Sequence, residues 1–388
     1  MVSFLLLCPL SLLLFTSHAF QTYNLDTRYE GPDFFDGWNF FTGSDPTHGF
    51  VTYLSEHDAS SARILGKNGY GPAYMGVDHT KILDPAGPGR KSLRISSKKS
   101  WTHGLFIADI VHMPGSICGT WPAFWMFGPN WPNNGEIDII EGVNRQIDNA
   151  MSLHTSANCQ IPNLASAQLG TLNTGQCDSS FNYNSGCGIT AQAGQHTYGS
   201  DFNSHGGGVY ATEWTSDHIK IWFFPRYAIP HDILRGKPNP DSWSKPQAFF
   251  QGSSSCNIDT HFANHNLVFD TTFCGDWAGG VWSSDEVCSE SGTLTCQQFV
   301  AGRPEAFRDA FWLVNSVKVY QQRGYSSDTA SPPYSNVTTS ALNDKISLTS
   351  PPPSSTSLKA PGSDATKSSS SWQTSWTTGG SSPTKRAA

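Results

Sequence analysis

The chain has 388 residues, a formal net charge of −7 and only 14% charged side chains. Proteins that bind nucleic acid neutralise its phosphates with a basic patch, and this composition supplies none, so we expect no nucleic-acid partner. Once the two atypical ends are set aside, roughly 300 residues remain, which suffices for one large β domain.

Residues 1–19 have the pattern of a secretory signal peptide. Residues 5–15 form an apolar run too short to span a bilayer, and Ser17-His18-Ala19 fits a small-x-small cleavage site. A basic n-region is missing, and a membrane anchor is the alternative interpretation. We predict a secreted, extracellular protein with no membrane partner. Association with a cell wall through glycans stays open.

Short segments of strand length, separated by clusters of Gly, Pro, Asn and Asp, fill residues 20–325. Some alternate polar and apolar residues, and others are nearly continuous apolar runs. The predicted strands are 92–96, 105–111, 124–127, 218–221 and 317–320. No long segment repeats its apolar residues every 3.6 positions, so the pattern predicts an all-β sandwich or barrel.

Tryptophans cluster ahead of an acidic segment, in a chain with 13 Trp and 12% aromatic residues. On a strand, Trp121 and Trp125 share one face and Phe124 takes the other. Indole rings can cover the apolar faces of glucose rings, so these two residues suit a polysaccharide groove, and a place in the core is the alternative. Trp277 lies in the glycine-rich segment 273–280, a composition often found in functional loops.

The segment 134–142 places three carboxylates among isoleucines, which favour a half-buried strand. Glu136 and Asp138 point to one face of such a strand, and Glu141 joins them if a β-bulge at 139–140 adds one residue. Paired carboxylates on one face suit cleavage of a glycosidic bond, one as nucleophile and the other as general acid and then base. A solvent-facing acidic strand and a calcium site are the alternatives.

Three crowded carboxyl groups cannot all ionise without repulsion, so at least one pKa should rise. We assign the raised pKa to Glu141 as a hypothesis. His154 lies on the next predicted strand, 149–155, and could hydrogen-bond a carboxylate or a sugar hydroxyl; a structural histidine is the alternative. Glu213, after the glycines 206–208, could bind sugar hydroxyls, or it is a surface acid.

Of the nine cysteines, Cys8 lies in the predicted signal peptide, and an even number remains, which in a secreted chain implies up to four disulfides. Their pairing stays open. Zinc is the competing interpretation, but the spacing lacks a CxxC motif, and we expect no cofactor or metal site from it. The long segment 158–194, rich in Gly, Ser, Asn and Cys, is predicted to be a loop held by disulfides.

The segment 326–388 is dominated by Ser, Thr, Pro and Gly and lacks the apolar periodicity needed for a core. We predict a disordered tail of the kind found in O-glycosylated stalks. Asn336-Val337-Thr338 is an N-glycosylation sequon within it.

Two motifs now identify a family. The sequences G-T-W-P-A-F-W at 119–125 and G-E-I-D-I-I-E-G-V-N at 135–144 resemble the glycoside hydrolase family 16 endo-1,3(4)-β-glucanases, and fungal laminarinases in particular. The segments 45–49 and 273–279 also fit, and the resemblance covers residues 24–323. Some relatives have lost the glutamates and survive as glucan-binding proteins, whereas this sequence keeps both.

The resemblance implies a β-jelly-roll sandwich of the concanavalin A type with a concave substrate cleft, and retention of anomeric configuration. It implies that Glu136 is the nucleophile, Glu141 the general acid/base and Asp138 an assisting residue. Trp121, Trp125 and Trp277 match sugar-stacking positions. Similar folds hold a structural calcium ion on the convex face, for which this sequence shows no identifiable ligands.

Three functions stay open. The first is an endo-acting hydrolase of β-1,3 and mixed-linkage glucans, acting as a monomer on β-glucan polysaccharide. The second is a cell-wall glucan transglycosylase on the same fold. The third is a non-hydrolytic glucan-binding module, although binding alone would not require both glutamates.

Overall fold

The computed structural model describes residues 23–67, 71–290 and 292–322. These ranges lie inside the predicted catalytic domain, 20–325. The predicted signal peptide at 1–19 and the predicted tail at 326–388, with its sequon at Asn336, lie outside the described residues.

The described residues form eighteen β-strands joined by short helices. The strands are β1 (Tyr23–Glu30), β2 (Trp38–Phe40), β3 (Val51–Tyr53), β4 (Leu65–Lys67), β5 (Ala73–Met75), β6 (Arg90–Ser92), β7 (Arg94–Trp101), β8 (Gly104–His112), β9 (Thr120–Phe127), β10 (Glu136–Glu141), β11 (Ala150–His154), β12 (Thr171–Thr174), β13 (Cys187–Thr190), β14 (Gly208–Trp214), β15 (His218–Pro225), β16 (Ala248–Gln251), β17 (His265–Phe273) and β18 (Trp312–Gln322).

The α-helices of the described ranges are all short. They are α1 (Glu56–Ser61), α2 (Gly199–Ser204), α3 (His231–Leu234), α4 (Ile258–His261) and α5 (Cys296–Gly302). Further short segments of 3₁₀ or π type occur at Gly31–Gly37, Asn182–Asn184, Arg226–Ala228, Pro240–Ser242, Gly275–Gly279, Trp282–Ser284 and Pro304–Asp309. None of the helices in these ranges has the length and apolar character required to cross a membrane.

Two eight-stranded antiparallel sheets form the domain. The front sheet has the order β12-β13-β11-β10-β9-β17-β7-β2. The back sheet has the order β16-β15-β14-β8-β18-β5-β4, and β1 also pairs with β18. A small parallel pair, β3 with β6, completes the strands. This arrangement confirms the predicted all-β sandwich.

Strand predictions from sequence periodicity hold with two corrections. The predicted strand 92–96 is interrupted at Leu93, because β6 pairs with β3 while β7 enters the front sheet beside β17. The segment 158–194, predicted to be a loop, contains β12 and β13, which extend the front sheet beyond β11. Both strands are only four residues long and consist largely of polar or small residues, so the sequence pattern did not reveal them.

A large core cluster fills the space between the sheets. Its front-sheet members include Ile137, Ile139 and Ile140 of β10, and Phe124 and Met126 of β9. Its back-sheet members include Phe106, Ala108, Ile110, Tyr210, Trp214, Ile219 and Ile221. Burial of each large apolar side chain stabilises the fold by about 1.5–3 kcal/mol. The buried isoleucines therefore hold β10 in the front sheet, with its acids on the opposite face.

Four disulfides use all eight cysteines left after Cys8, which confirms the expected maximum. The pairs, which the sequence left open, are Cys118–Cys288, Cys159–Cys256, Cys177–Cys187 and Cys274–Cys296. Two of them close the segments after β11, and two tie the segment after β17 to α5 and to the start of β9. Long loops beside the front sheet are therefore crosslinked.

Candidate active site

Strand β10 presents its acids on the outer face of the front sheet. Glu136 pairs with Phe127 on one side and His154 on the other, and Asp138 pairs with Trp125 and Ser152. The register shifts between Asp138 and Glu141 on both sides of the strand. The predicted bulge is therefore present, and Ile139 and Ile140 both enter the core. All three carboxylates lie on one face.

Asn149, which the sequence reasoning missed, holds this bulge. Its Nδ2 donates to the carbonyl oxygen of Ile139 at 2.8 Å, and its Oδ1 accepts from the backbone N–H of Glu141 at 2.9 Å. Its own N–H donates to Thr197 Oγ1 at 3.1 Å. Since a bulge interrupts the ladder, the amide side chain supplies the hydrogen bonds that the neighbouring strand does not.

Glu136 is surrounded by groups with opposing effects on its charge. The indole Nε1 of Trp131 donates to its Oε2. Burial and the adjacent Asp138 raise the pKa of Glu136 to about 8, and His154 and Trp131 offset part of that rise. Because burial favours the neutral carboxyl, the cationic and N–H neighbours determine whether it ionises.

His154 bridges the acidic group and the loop beyond β12. Its Nε2 lies 3.2 Å from Asp138 Oδ2, and its Nδ1 lies 2.9 Å from Asn184 Oδ1. Burial opposes protonation of this imidazole, but Asp138 and the charge of Glu136 outweigh burial and raise its pKa to about 10. The position of His154 beside Asp138 agrees with the predicted contact to a carboxylate.

Glu141 is held by a tryptophan. Nε1 of Trp121 donates to Glu141 Oε1 at 2.7 Å, and the ring of Trp277 packs edge-on against Trp121 with centroids 5.7 Å apart. Burial and the charge of Asp138 raise the pKa of Glu141 well above its usual value, partly offset by Trp121. The pKa of Glu141 is therefore raised, as hypothesised from the sequence, and the pKa of Glu136 is raised as well.

Trp125 also binds a carboxylate through its indole. Its Nε1 donates to Asp270 Oδ1 at 3.2 Å, and the guanidinium of Arg94 lies 5.0 Å from its ring centroid. Trp121, Trp125 and Trp277 all remain partly exposed, while Phe124 is buried, as the strand periodicity predicted. The ring of Trp125 also stacks on that of Phe127, with centroids 5.0 Å apart.

The two loops that match the family outside the main motif meet beside Trp277. The backbone N–H of Asp276 donates to the carbonyl of Thr47 at 2.9 Å, and the Asp276 carboxylate lies 3.0 Å from His48 Nδ1. Asn144, at the end of the main motif, donates to the carbonyl of Ala278 at 3.1 Å. These contacts tie the Trp277 loop to the carboxylate strand.

Glu213 does not join this group. It lies on β14 of the back sheet, is 3% exposed, and accepts a hydrogen bond from Tyr23 Oη at 2.9 Å. Its other oxygen lies 2.9 Å from His218 Nε2. It shares its face with Val209 and Ala211, away from the front sheet, because strand alternation sends it there. The expected contact with sugar is corrected to a structural role.

Three groups of potential metal ligands occur among the described residues. They are Cys159/Cys256/His261, His196/Asp201/His205 and Glu136/Asp138/His154. The first is unavailable because its cysteines form a disulfide. Each group includes a histidine nitrogen, whereas calcium takes six to eight oxygen ligands, so these groups do not fit the calcium ion of similar folds.

Comparison with known proteins agrees with this geometry. The family of XgeA-like catalytic GH16 domains matches residues 38–320. A probable endo-1,3(4)-β-glucanase of Aspergillus niger is 46% identical over 316 residues, covering 81% of this chain and 42% of the relative. The endo-1,3(4)-β-glucanase of Arthroderma benhamiae is 45% identical over 304 residues, covering 78% of this chain and 65% of the relative. The chain thus spans less than two thirds of each.

Solved structures show the same fold. An elongating GH family 16 β-1,3-glucosyltransferase is 45% identical with a TM-score of 0.71, and laminarinase 16A from Phanerochaete chrysosporium is 42% identical with the same TM-score. Each comparison covers 77% of this chain and all of the solved chain. The sandwich is therefore a β-jelly roll of the laminarinase type, and this chain belongs to the XgeA-like catalytic domains of glycoside hydrolase family 16.

Proposed function

We propose that this protein is an endo-acting, retaining β-glucanase that hydrolyses β-1,3 and mixed β-1,3/1,4 glucans. The observation that carries the proposal is the bulge in β10, which brings Glu136, Asp138 and Glu141 to one face of the front sheet. Partly exposed tryptophans beside these acids could supply surfaces on which glucose rings stack. The curated relatives are named endo-1,3(4)-β-glucanases.

The two glutamates take complementary roles in a double displacement. Glu136 attacks the anomeric carbon, and the bond to the leaving oxygen breaks as Glu141 donates its proton to that oxygen. Water then attacks the same carbon, the bond to Glu136 breaks, and Glu141 accepts a proton from that water. The raised pKa of Glu141 keeps it protonated for the first step.

Glu136 must ionise to act as nucleophile, and two of its neighbours, His154 and Trp131, favour that state. The positive charge of His154 and the N–H of Trp131 both lower its pKa against the effect of burial. Asp138 lies between the two glutamates along β10 and next to His154, so it holds that cation in place. We assign Asp138 the assisting role for this reason.

The substrate class follows from relatives of known structure. The solved laminarinase 16A holds 6-O-glucosyl-laminaritriose in donor and acceptor sites. We propose that β-glucan binds along the outer face of the front sheet of this chain, over Trp121, Trp125 and Trp277. The carboxylates all come from one strand, so we propose a monomer.

We also propose that the protein is secreted. Four disulfides support an oxidising, extracellular environment. The apolar leader of the sequence agrees with export.

Reducing-end release from laminarin and from barley mixed-linkage glucan tests the proposal. We expect release by the purified protein, a loss of about 10⁴-fold or more in Glu136→Gln because the covalent step is removed, and no change in Glu56→Gln, an exposed glutamate on α1. Binding of either glucan by a folded protein that releases no new ends would refute hydrolysis and favour a binding module.

Transglycosylation is the second candidate, and one comparison favours it. The elongating β-1,3-glucosyltransferase has the same fold and 45% identity. In transglycosylation a sugar hydroxyl, rather than water, attacks the anomeric carbon, the bond to Glu136 breaks, and Glu141 accepts the proton of that hydroxyl. Incubation with laminari-oligosaccharides separates the two functions, because products longer than the starting sugar appear only if transfer occurs, and shorter products alone indicate hydrolysis.

A further inference from the structure

A second cluster of metal-ligating side chains lies outside the carboxylate group. His196 precedes α2, Asp201 lies within this helix, and His205 ends it. One donor atom from each of the three residues lies within 4.8 Å of the others. We propose that His196, Asp201 and His205 form a binding site for a divalent transition-metal ion of the zinc class.

The donor atoms converge closely. Nδ1 of His196 lies 2.7 Å from Asp201 Oδ2, and Nδ1 of His205 lies 3.6 Å from Asp201 Oδ1. Ligands in a tetrahedral zinc site lie about 2.0–2.2 Å from the metal, so neighbouring nitrogen and oxygen donors are a little over 3 Å apart. The observed spacings bracket that value, and the two nearly parallel rings must rotate for both ring nitrogens to point at one ion.

The chemistry of the donors selects the class of metal. Two imidazoles and one carboxylate suit zinc, copper or nickel, whereas calcium and magnesium prefer oxygen donors alone. The imidazole rings of His196 and His205 are stacked, with centroids 3.6 Å apart and planes 16° from parallel. This stacking brings both rings to the same carboxylate, and a metal ion bound there would bond to one nitrogen of each ring.

Ordinary ion pairing is the competing explanation. Nδ1 of His205 also lies 2.9 Å from the carbonyl oxygen of Asp201 and 3.1 Å from Ser204 Oγ, so metal binding through this nitrogen replaces a local hydrogen bond. The carboxylate of Asp201, in contrast, has both oxygens directed at the two histidines. The side chains of His196, Asp201 and His205 are 31%, 37% and 39% exposed, which leaves an entry path and room for a water ligand.

The site has a structural consequence for the domain. Thr197 and Tyr198, directly after His196, support the carboxylate strand: Thr197 Oγ1 accepts the N–H of Asn149, and Tyr198 packs against Gly142 so closely that a Cβ there would approach its ring to 2.8 Å. A metal ion bound to His196 fixes this segment. We therefore expect zinc to raise the midpoint of thermal unfolding, since a ligand that binds only the folded state stabilises it.

Calorimetric titration of the chelator-treated full chain with zinc chloride tests the site. The expected result is one zinc equivalent, bound at least about tenfold more weakly by His205→Ala and by Asp201→Asn. His57→Ala, which removes an exposed histidine of α1, should bind zinc as the unmodified protein does. The zinc-dependent rise in unfolding temperature should disappear in the two site variants alone.

Two results would overturn the proposal. One is no zinc binding by the unmodified protein. The other is zinc binding by His205→Ala and Asp201→Asn with the same affinity as by the unmodified protein. A loss of zinc binding in His154→Ala would then place the ion at the carboxylate group instead. Asp201→Asn preserves the shape of the side chain, so it provides the test if His205→Ala does not fold.

Discussion

The hydrogen bonds of Asn149 predict a specific defect in Asn149→Ala. The amide is fully buried and forms both side-chain contacts to the bulge in β10. Its removal leaves the carbonyl of Ile139 and the N–H of Glu141 without these partners. A buried backbone group deprived of its hydrogen bond costs about 1–3 kcal/mol, so the two together should lower the free energy of unfolding by about 2–6 kcal/mol.

The same change should impair catalysis beyond its effect on stability. Glu141 follows the bulge, and its backbone is positioned by the Asn149 Oδ1 contact. Since a shift of about 1 Å in a reacting group can cost 100-fold in rate, we expect kcat on laminarin to fall by about that factor while KM changes little. Asn149→Asp keeps an oxygen that accepts from the N–H of Glu141 but loses the N–H that donates to the carbonyl of Ile139. It should therefore retain more activity than Asn149→Ala when both variants are assayed fully folded.

Asn203→Ala provides a matched control. Asn203 forms the same two-sided contact with a backbone unit, accepting from Met113 N–H at 2.9 Å and donating to its carbonyl at 2.8 Å. The Asn203→Ala variant should have a lower free energy of unfolding but an unchanged kcat when it is assayed well below its unfolding temperature. Initial rates on laminarin and urea unfolding curves supply both quantities. A kcat for Asn149→Ala within about threefold of that of Asn203→Ala would refute the positioning role.

Four further predictions follow from single contacts. The pKa of Glu136, raised from 4.5 to about 8, means that the folded state holds this proton more tightly than the unfolded state. Protonated Glu136 therefore stabilises the folded state fully below about pH 4.5, and this contribution is lost as the pH rises to about 8. The free energy of unfolding in urea should therefore fall less between these two pH values for Glu136→Gln than for the unmodified protein. His154→Gln removes a cation that lowers the pKa of Glu136, so the acidic limb of the kcat/KM profile should move to higher pH; an unmoved limb would contradict that cation effect. Trp121→Phe removes the N–H that lowers the pKa of Glu141, so the basic limb should move to higher pH, and a downward shift would contradict the assignment. Glu213→Gln should lower the unfolding temperature through its lost pairing with His218 while the KM for laminarin stays constant, and a rise in KM would return Glu213 to the substrate site.

Several features of the fold and site were predictable because they depend on short-range order. Side chains alternate along a strand whatever lies around it, so the shared face of Trp121 and Trp125 and the burial of Phe124 followed from the sequence. The odd spacing of Glu141 from Asp138 required a bulge for all three acids to share a face, and the register shift in β10 supplies it.

Other predictions failed where partners are distant in the chain. Glu213 was a candidate for binding sugar hydroxyls, yet it lies on the back sheet and contacts His218 and also Tyr23, which is 190 positions away in the chain. The strands β12 and β13 have little apolar character of their own, and their ladder pairings with β11 and with each other make them part of the sheet.

The sequence by itself determined the all-β class, the carboxylate motif, the number of cysteines available for disulfides and the family of the chain, because each depends on residue identity and spacing within a short segment. Only the tertiary structure decided which cysteines pair, that Asn149 supports the bulge, that the indoles of Trp121 and Trp125 bind carboxylates, and that two histidines share Asp201. Each of these contacts depends on the positions of strands and loops relative to one another. Those positions are set by packing of the whole core and not by any local pattern.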